Sequence, residues 1–323
     1  MSQKILREVL SGEIRGSIAS IFDRSFNLEA GERFLINIGA EDLALTPRSI
    51  LLSTEDFFEK IFPQIYLGLP FATLNGVLYF PPIRVLISVQ EAAQFNPKGN
   101  IPREILPRER IARNLIAAAN CFRRTRKTIR GVGCSPLSDY FLSRMGLIAS
   151  PEFKKEGLSF PAGRGKALFY GPDPKLWDRI DSFLCAARKR SGEGVTVALG
   201  SILGFGPGLT PSGDDFLSGF ITAGIAVSQA RGNPPDAVNK IIEKVNKEAK
   251  GKTTRVSIAM MEDAGNGEMA APVWKFIQTA LLSEEMGRVI ASAHKIGEMG
   301  GSSGEDLFNG LATGIWYFLS SDS

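Results

Sequence analysis

Val77-Leu-Tyr-Phe-Pro-Pro-Ile-Arg-Val-Leu-Ile-Ser-Val89 is two short β-rich runs with a proline break between them. Comparable runs stand upstream at Phe34–Ile38 and Ser49–Leu52, separated by turn formers such as Asn75-Gly76. A small antiparallel sheet or barrel is expected for this part. Past the Pro and Gly punctuation from Pro97 to Pro107 the texture changes. Arg110 to Thr128 has helical spacing around Leu115, Ile116, Ala119 and Phe122. Further helices are expected near 175–188, 216–229, 236–250, 255–263, 271–282, 286–296 and 307–319. Val195–Leu203 fits either strand or helix. The fold class is therefore α+β: a β-rich N-terminal domain over 1–98 followed by a mainly helical domain over 99–323. The stretch from Cys134 to Pro172 reads as loop-rich.

The 323 residues, 44% of them hydrophobic, suffice for a large buried core. No run reaches the roughly 20 apolar residues of a membrane span, and the first residues lack the apolar core of a signal peptide, so a cytoplasmic protein with no membrane partner is expected. Three widely spaced cysteines give neither a disulfide framework nor a zinc motif. The single histidine, His294, excludes sites built on several imidazoles, so any metal must be held by oxygen, as Mg²⁺ would be. His294 reads as an exposed helix residue or as half of a Ser-His pair. The net charge of +4 is too mild to argue for nucleic acid. Local clustering is stronger: between Arg108 and Arg130 lie Arg110, Arg113, Arg123, Arg124, Arg126 and Lys127, either the solvated face of a long helix or a docking surface for an acidic partner.

Chemistry concentrates in Gly204-Phe-Gly-Pro-Gly-Leu-Thr-Pro-Ser-Gly-Asp-Asp-Phe-Leu-Ser-Gly219, a glycine loop with two acids before an apolar run. Glycines admit close backbone approach and positive φ, and a helix start offers free N–H groups to an anion. The P-loop motif needs Lys and Ser/Thr where Asp214-Asp215 stands, and the spacing of Gly204, Gly206 and Gly208 fails the dinucleotide fingerprint. Asp214 and Asp215 suit a bridging Mg²⁺-like ion, or else an amide or amine group. Gly206, Gly208, Thr210, Ser212 and Gly213 then hold a phosphate or carboxylate.

The same helix start recurs 91 residues on, as Ser303-Gly-Glu-Asp-Leu-Phe-Asn-Gly-Leu311. Gly219/Ala223 aligns with Gly310/Gly314, a small-residue spacing that allows two helices to touch, and the two starts are expected to face one another across a pseudo-symmetric centre. Ser303, Gly304 and Asp306 thereby join the candidate pocket. The plainer reading makes Ser212 and Ser303 helix N-caps, with Asp215 and Asp306 three residues later. A third polar cluster, Thr253-Thr254-Arg255-Val-Ser257, marks another helix start, either a cap with an exposed arginine or a site where Arg255 meets a carboxylate or phosphate.

Gly206-Pro-Gly-Leu-Thr-Pro-Ser-Gly-Asp-Asp215 resembles the signature of a bacterial family long called carboxylase-like, the AllH-like proteins, which include a subunit of oxamate carbamoyltransferase. Residues 253–257 and 300–314 share the resemblance; where relatives carry a histidine this chain has Gly301, so that histidine's role is not carried over. The resemblance implies purine-nitrogen catabolism: phosphorolysis of oxalurate to oxamate and carbamoyl phosphate, with this chain as one of several subunits. Two roles follow. In one, Asp214 and Asp215 are catalytic or metal-binding and Gly206, Gly208, Thr210, Ser212, Gly213, Thr254, Arg255, Ser303, Gly304 and Asp306 bind a small anionic substrate. In the other, a non-catalytic assembly or ligand-sensing subunit docks an acidic protein through Arg108–Arg130.

Overall fold

The computed structural model describes residues 1–31, 34–128, 174–189 and 191–320. It divides into two compact units: 1–99 with 266–274, and 100–265 with 275–323.

The first unit is a curled seven-stranded sheet. Its strands are β1 (Arg15–Phe22), β2 (Ser25–Ala30), β3 (Phe34–Ala40), β4 (Ser49–Leu52), β5 (Pro70–Leu74), β6 (Val77–Phe80) and β7 (Val85–Ser88), in the order β4-β3-β2-β1-β5-β6-β7. Alternation sets the register: Phe26 opposes Ile38 and Leu28 opposes Ile36, all four without solvent exposure. One residue out of phase, the Asn37 amide donates to Asn27 Oδ1 at 2.9 Å and Asn27 donates to Ser20 at 2.8 Å, so this polar file satisfies itself. Phe26 stacks on Phe57 at 6.1 Å and meets Phe80 edge-on at 6.3 Å in the core.

Two features depart from an all-antiparallel expectation. β3 and β4 run parallel, because residues 41–48 carry the chain back before β4 pairs. A helix, α1 (Gln3–Leu10), precedes the sheet, started by the Ser2 hydroxyl, which accepts from Lys4 N and Ile5 N. The segment 266–274 is tied in by polar contacts: Pro97 O accepts from Met269 N at 3.0 Å and from the Trp274 indole at 2.7 Å.

The second unit is helical: α2 (Arg108–Thr128), α3 (Pro174–Arg188), α4 (Gly192–Ile202), α5 (Ser212–Arg231), α6 (Asp236–Ala249), α7 (Arg255–Gly265), α8 (Ala271–Leu282, whose first four residues count with the sheet), α9 (Met286–Gly297) and α10 (Ser303–Ser320). The ambiguous 195–203 run is α4. Ser191 caps it through Gly194 N at 3.1 Å, and glycine at its first position is tolerated there. No described helix is long and apolar enough to cross a membrane.

α2 carries its described basic residues outward, Arg108 and Arg110 exposed and Arg113 half-buried, over a buried remainder. Between Ile111 and Ala119 only Arg113 is not buried, and the Asn114 amide donates to Ala280 O and Ser283 O at 3.0 Å each. An alanine-rich surface lets neighbours pack on several faces, so this half of the helix belongs to the core.

Candidate functional site

The two repeats fold alike. After α4, Phe205 N donates to Ile202 O; after α9, Met299 N donates to Ile296 O. Gly213 N then reaches Phe205 O and Gly304 N reaches Met299 O, both at 2.9 Å. Each second glycine backs onto the preceding helix: a Cβ on Gly213 would stand 2.1 Å from Ile202 O, and one on Gly304 2.0 Å from Ile296 O. Phe205 to Gly213 spans eight positions where Met299 to Gly304 spans five, so the first loop is three residues longer. The extra length falls in the glycine-rich stretch, where Gly206 and Gly208 have positive φ (116° and 94°), as does Gly204 (71°) immediately before it.

α5 and α10 run parallel and touch backbone to backbone. A Cβ on Gly219 would lie 2.2 Å from Leu307 O and 2.8 Å from Leu311 N; one on Gly310 would lie 2.0 Å from Phe216 O and 3.0 Å from Phe220 N. Phe216 and Phe220 are the 91-residue counterparts of Leu307 and Leu311, so the contact is reciprocal, as across a two-fold axis. At the C-terminal end Arg231 donates to Phe318 O and Leu319 O at 3.0 and 2.9 Å. At the N-terminal end the Thr210 and Ser303 hydroxyls bond each other at 2.9 Å. Both positive helix ends, with their acidic first turns, therefore lie together.

The adjacent acids have different surroundings. Asp214, 1% exposed, accepts from Gly204 N at 2.8 Å through one oxygen and from the Thr253 hydroxyl through the other. It fastens the start of the glycine loop to the start of α7. Asp215, also 1% exposed, has no hydrogen-bond donor on either oxygen. Burial is the main reason its pKa is pushed up to about 8; the nearby Ser303 and Thr210 hydroxyls pull it down, and Asp306 and Asp214 push it up. Those hydroxyls are close enough to stabilise the charge; their mutual bond uses one of the two hydroxyl protons, and neither hydroxyl completes a hydrogen bond to Asp215. Asp215 is thus a carboxyl group held largely protonated at neutral pH.

The start of α7 clamps the far end of the loop. Thr254 donates to Leu209 O at 2.5 Å while its hydroxyl accepts from Ser257 N, a cap contact, and Ser257 donates to the same Leu209 O at 3.4 Å. Lys252 O lies where a Cβ on Gly204 would come within 2.0 Å. Thr253→Val deletes one of the two donors on a buried carboxylate and should cost about 1–3 kcal/mol, read by urea denaturation.

Two models of one family match this chain: the AllH family N-terminal domain over residues 1–94, and oxamate carbamoyltransferase subunit AllH over residues 202–315. The chain belongs to the AllH family. No solved structure matches it. Within this AllH chain the second match begins at Ile202, whose carbonyl backs Gly213, and runs through the Gly310–Gly314 contact, so it takes in both helix starts.

The structure gathers the AllH-signature residues as follows. Thr210, Asp215 and Ser303 meet at the joint helix start, and Asp306 is near enough to Asp215 for its charge to be felt. Gly206 packs on Ser212, and Gly213 and Gly304 are the close-approach glycines behind the two starts. Thr254 sits under the loop, whereas Arg255 is exposed at the first position of α7. Ser212 is not an N-cap: Pro211 holds that position, its carbonyl accepting from Asp215 N at 3.1 Å, and no side chain caps α5. The proline-fixed turn starts the helix one residue earlier and leaves the Ser212 hydroxyl out of the capping role.

Among the described residues no group of three or more His, Cys, Asp or Glu side chains is arranged to hold a metal ion, and both Asp214 oxygens are engaged by protein donors. His294, exposed on α9, meets Glu298 at 3.1 Å and no serine. Cys185 is a free, exposed thiol. In the basic cluster, Arg108 lies over the Trp316 ring at 4.4 Å and donates to Ser320; the side chains of 121–128 and all of Arg130 lie outside the described residues, as does the 134–172 stretch.

Sequence reading passed over two sets of residues. Arg179 stacks over Phe205 at 4.2 Å and donates to Ser201 O, bracing the glycine loop from α3, and nothing in its own surroundings in sequence marks it. Ser218 and Asn309 are buried polar residues, with Ser218 Oγ and Asn309 Nδ2 unpartnered. The 91-residue offset that aligns them was the available signal.

Proposed function

We propose that this chain is a subunit of a carbamoyltransferase, and that a small anionic substrate of the oxamate and carbamoyl phosphate kind binds over Asp215, where α5 and α10 begin. The observation that carries the reading is Asp215 itself: buried, without a donor, its pKa about 8, beneath the half-buried hydroxyls of Thr210 and Ser303. The family match supplies the reaction class.

Moving a carbamoyl group between phosphate and an amide nitrogen requires that nitrogen to lose a proton as the C–N bond forms and to regain it as the bond breaks. A carboxyl group whose pKa lies near the working pH can take and return that proton. The two positive helix ends favour the phosphate or carboxylate of the substrate, and the loop of Gly206, Gly208 and Thr210 lies beside them with Ser212. Asp214 serves as a positioning residue: its hydrogen bonds to Gly204 and Thr253 hold the loop. Asp306 keeps a second carboxyl group close to Asp215.

The test is turnover by the assembled enzyme carrying Asp215→Asn in this chain, with assembly checked by size exclusion. Loss of a general acid–base group predicts a fall of about 10²-fold or more with the assembly intact. Unchanged turnover in an intact assembly overturns the reading.

A further inference from the structure

We infer that the two repeats build one oriented binding site per chain, in which Thr210 and Ser303 exchange their mutual hydrogen bond for contacts to a single small acid amide lying across the α5–α10 seam. This rests on the proposed function and adds the number of sites, the partners and the ligand's direction.

A reciprocal helix contact by itself would offer two equivalent sites. The observed symmetry is broken at one position. The counterpart of Ser303 is Ser212, but the counterpart of Thr210 is Gly301, which has no side chain. The cross-repeat bond of Thr210 to Ser303 therefore has no mate, since Ser212 finds no hydroxyl at Gly301. The second asymmetry is the loop. The first repeat has three more residues than the second, with three positive-φ glycines, and is clamped at both ends by Asp214, Thr253, Thr254 and Ser257.

The contents of the site indicate what lies in it. Asp215 turns two buried, unpartnered oxygens toward the place where the Thr210 and Ser303 hydroxyls meet. Leaving buried polar atoms unpaired is costly, so an occupant there should bring both an N–H donor for the carbonyl oxygen and an acceptor for the O–H of the protonated carboxyl, as an amide does. The anionic end then belongs on the glycine-loop side, nearer the exposed residues 206–209 and the helix N-termini. The Thr210 and Ser303 hydroxyls share one hydrogen bond, which leaves one of their two protons free to donate to a ligand.

Titration calorimetry with oxamate on the assembled complex, and on the full chain alone, tests this. One site per chain is expected, with affinity falling about tenfold in Ser303→Ala and recovering in Ser303→Thr, which restores the hydroxyl. Thr210→Ala should fall similarly, and the double variant should be no worse than the sum of the two. Two sites per chain, or binding lost in Asp215→Asn yet unchanged in Ser303→Ala, overturns this inference and leaves the proposed function standing. Binding by neither the chain nor the complex overturns both.

Discussion

Gly310→Ala should lower the melting temperature of the protein by about 6–12 °C. The new methyl would have to occupy a point 2.0 Å from Phe216 O, a backbone atom of the facing helix that no rotamer change can move aside. α5 and α10 must separate, and with them the Gly219 and Gly314 contacts. Overpacking of this kind costs about 3 kcal/mol, and a domain of this size loses about 2–4 °C per kcal/mol. Alanine's better helix propensity returns about 1 kcal/mol at most and does not reverse the sign. Gly301→Ala is the matched control: nothing lies within 4 Å of the added carbon and its φ is not in the left-handed region, so the expected change is within about 0.5 kcal/mol. Both variants are read by thermal melts followed by circular dichroism. Equal melting of Gly310→Ala and the parent would mean that the helices do not meet through their glycines, and the pseudo-two-fold account of the site would fall with it.

That seam was legible because it is written twice. A glycine in a helix costs stability, so a small-residue pair recurring at a fixed offset signals a close approach, and the reciprocal contacts of Gly219 and Gly310 are that approach. The later strands of the sheet were legible for the same kind of reason, since Val77–Phe80 and Val85–Ser88 are apolar runs bounded by turn formers. β1 and β2 were not. Arg15-Gly-Ser-Ile-Ala-Ser-Ile-Phe22 mixes small and polar residues, and its pairing is specified by partners on β2 and β5 rather than by its own pattern. The parallel β3–β4 pair likewise depends on the path of residues 41–48, which no local periodicity encodes. At the site, sequence marked the two acids but could not separate them. Successive helical side chains point about 100° apart, and only the structure shows that Asp214 meets Gly204 and Thr253 while Asp215 meets no donor. Arg179 braces the loop from a helix remote in sequence, and such contacts are invisible without the fold.

The stability gap between Asp215→Asn and the parent should widen as pH rises from 5 to 8, by about 4 kcal/mol over that span. The folded-state pKa of Asp215 is raised from 3.8 to about 8, chiefly by burial. Between those values the folded chain keeps a proton that the unfolded chain has released. The parent therefore loses stability with increasing pH, at about 1.4 kcal/mol per unit, and the loss levels off below about pH 4 and above about pH 8. Asparagine fills nearly the same volume and does not titrate, so the variant lacks this slope. Melting temperatures compared at each pH should then diverge by about 8–16 °C between pH 5 and 8, the variant being the more stable at the alkaline end. Taking the difference at each pH cancels the titration of groups common to both proteins. Parallel curves would mean that the carboxyl group finds partners in solution and is not held protonated. A widening gap would identify a buried acid that weakens the fold at the pH where it would be useful, the usual mark of a group retained for chemistry and not for stability. Oxamate bound over Asp215 through its N–H groups would supply the missing donors, lower that pKa and flatten the parent's slope.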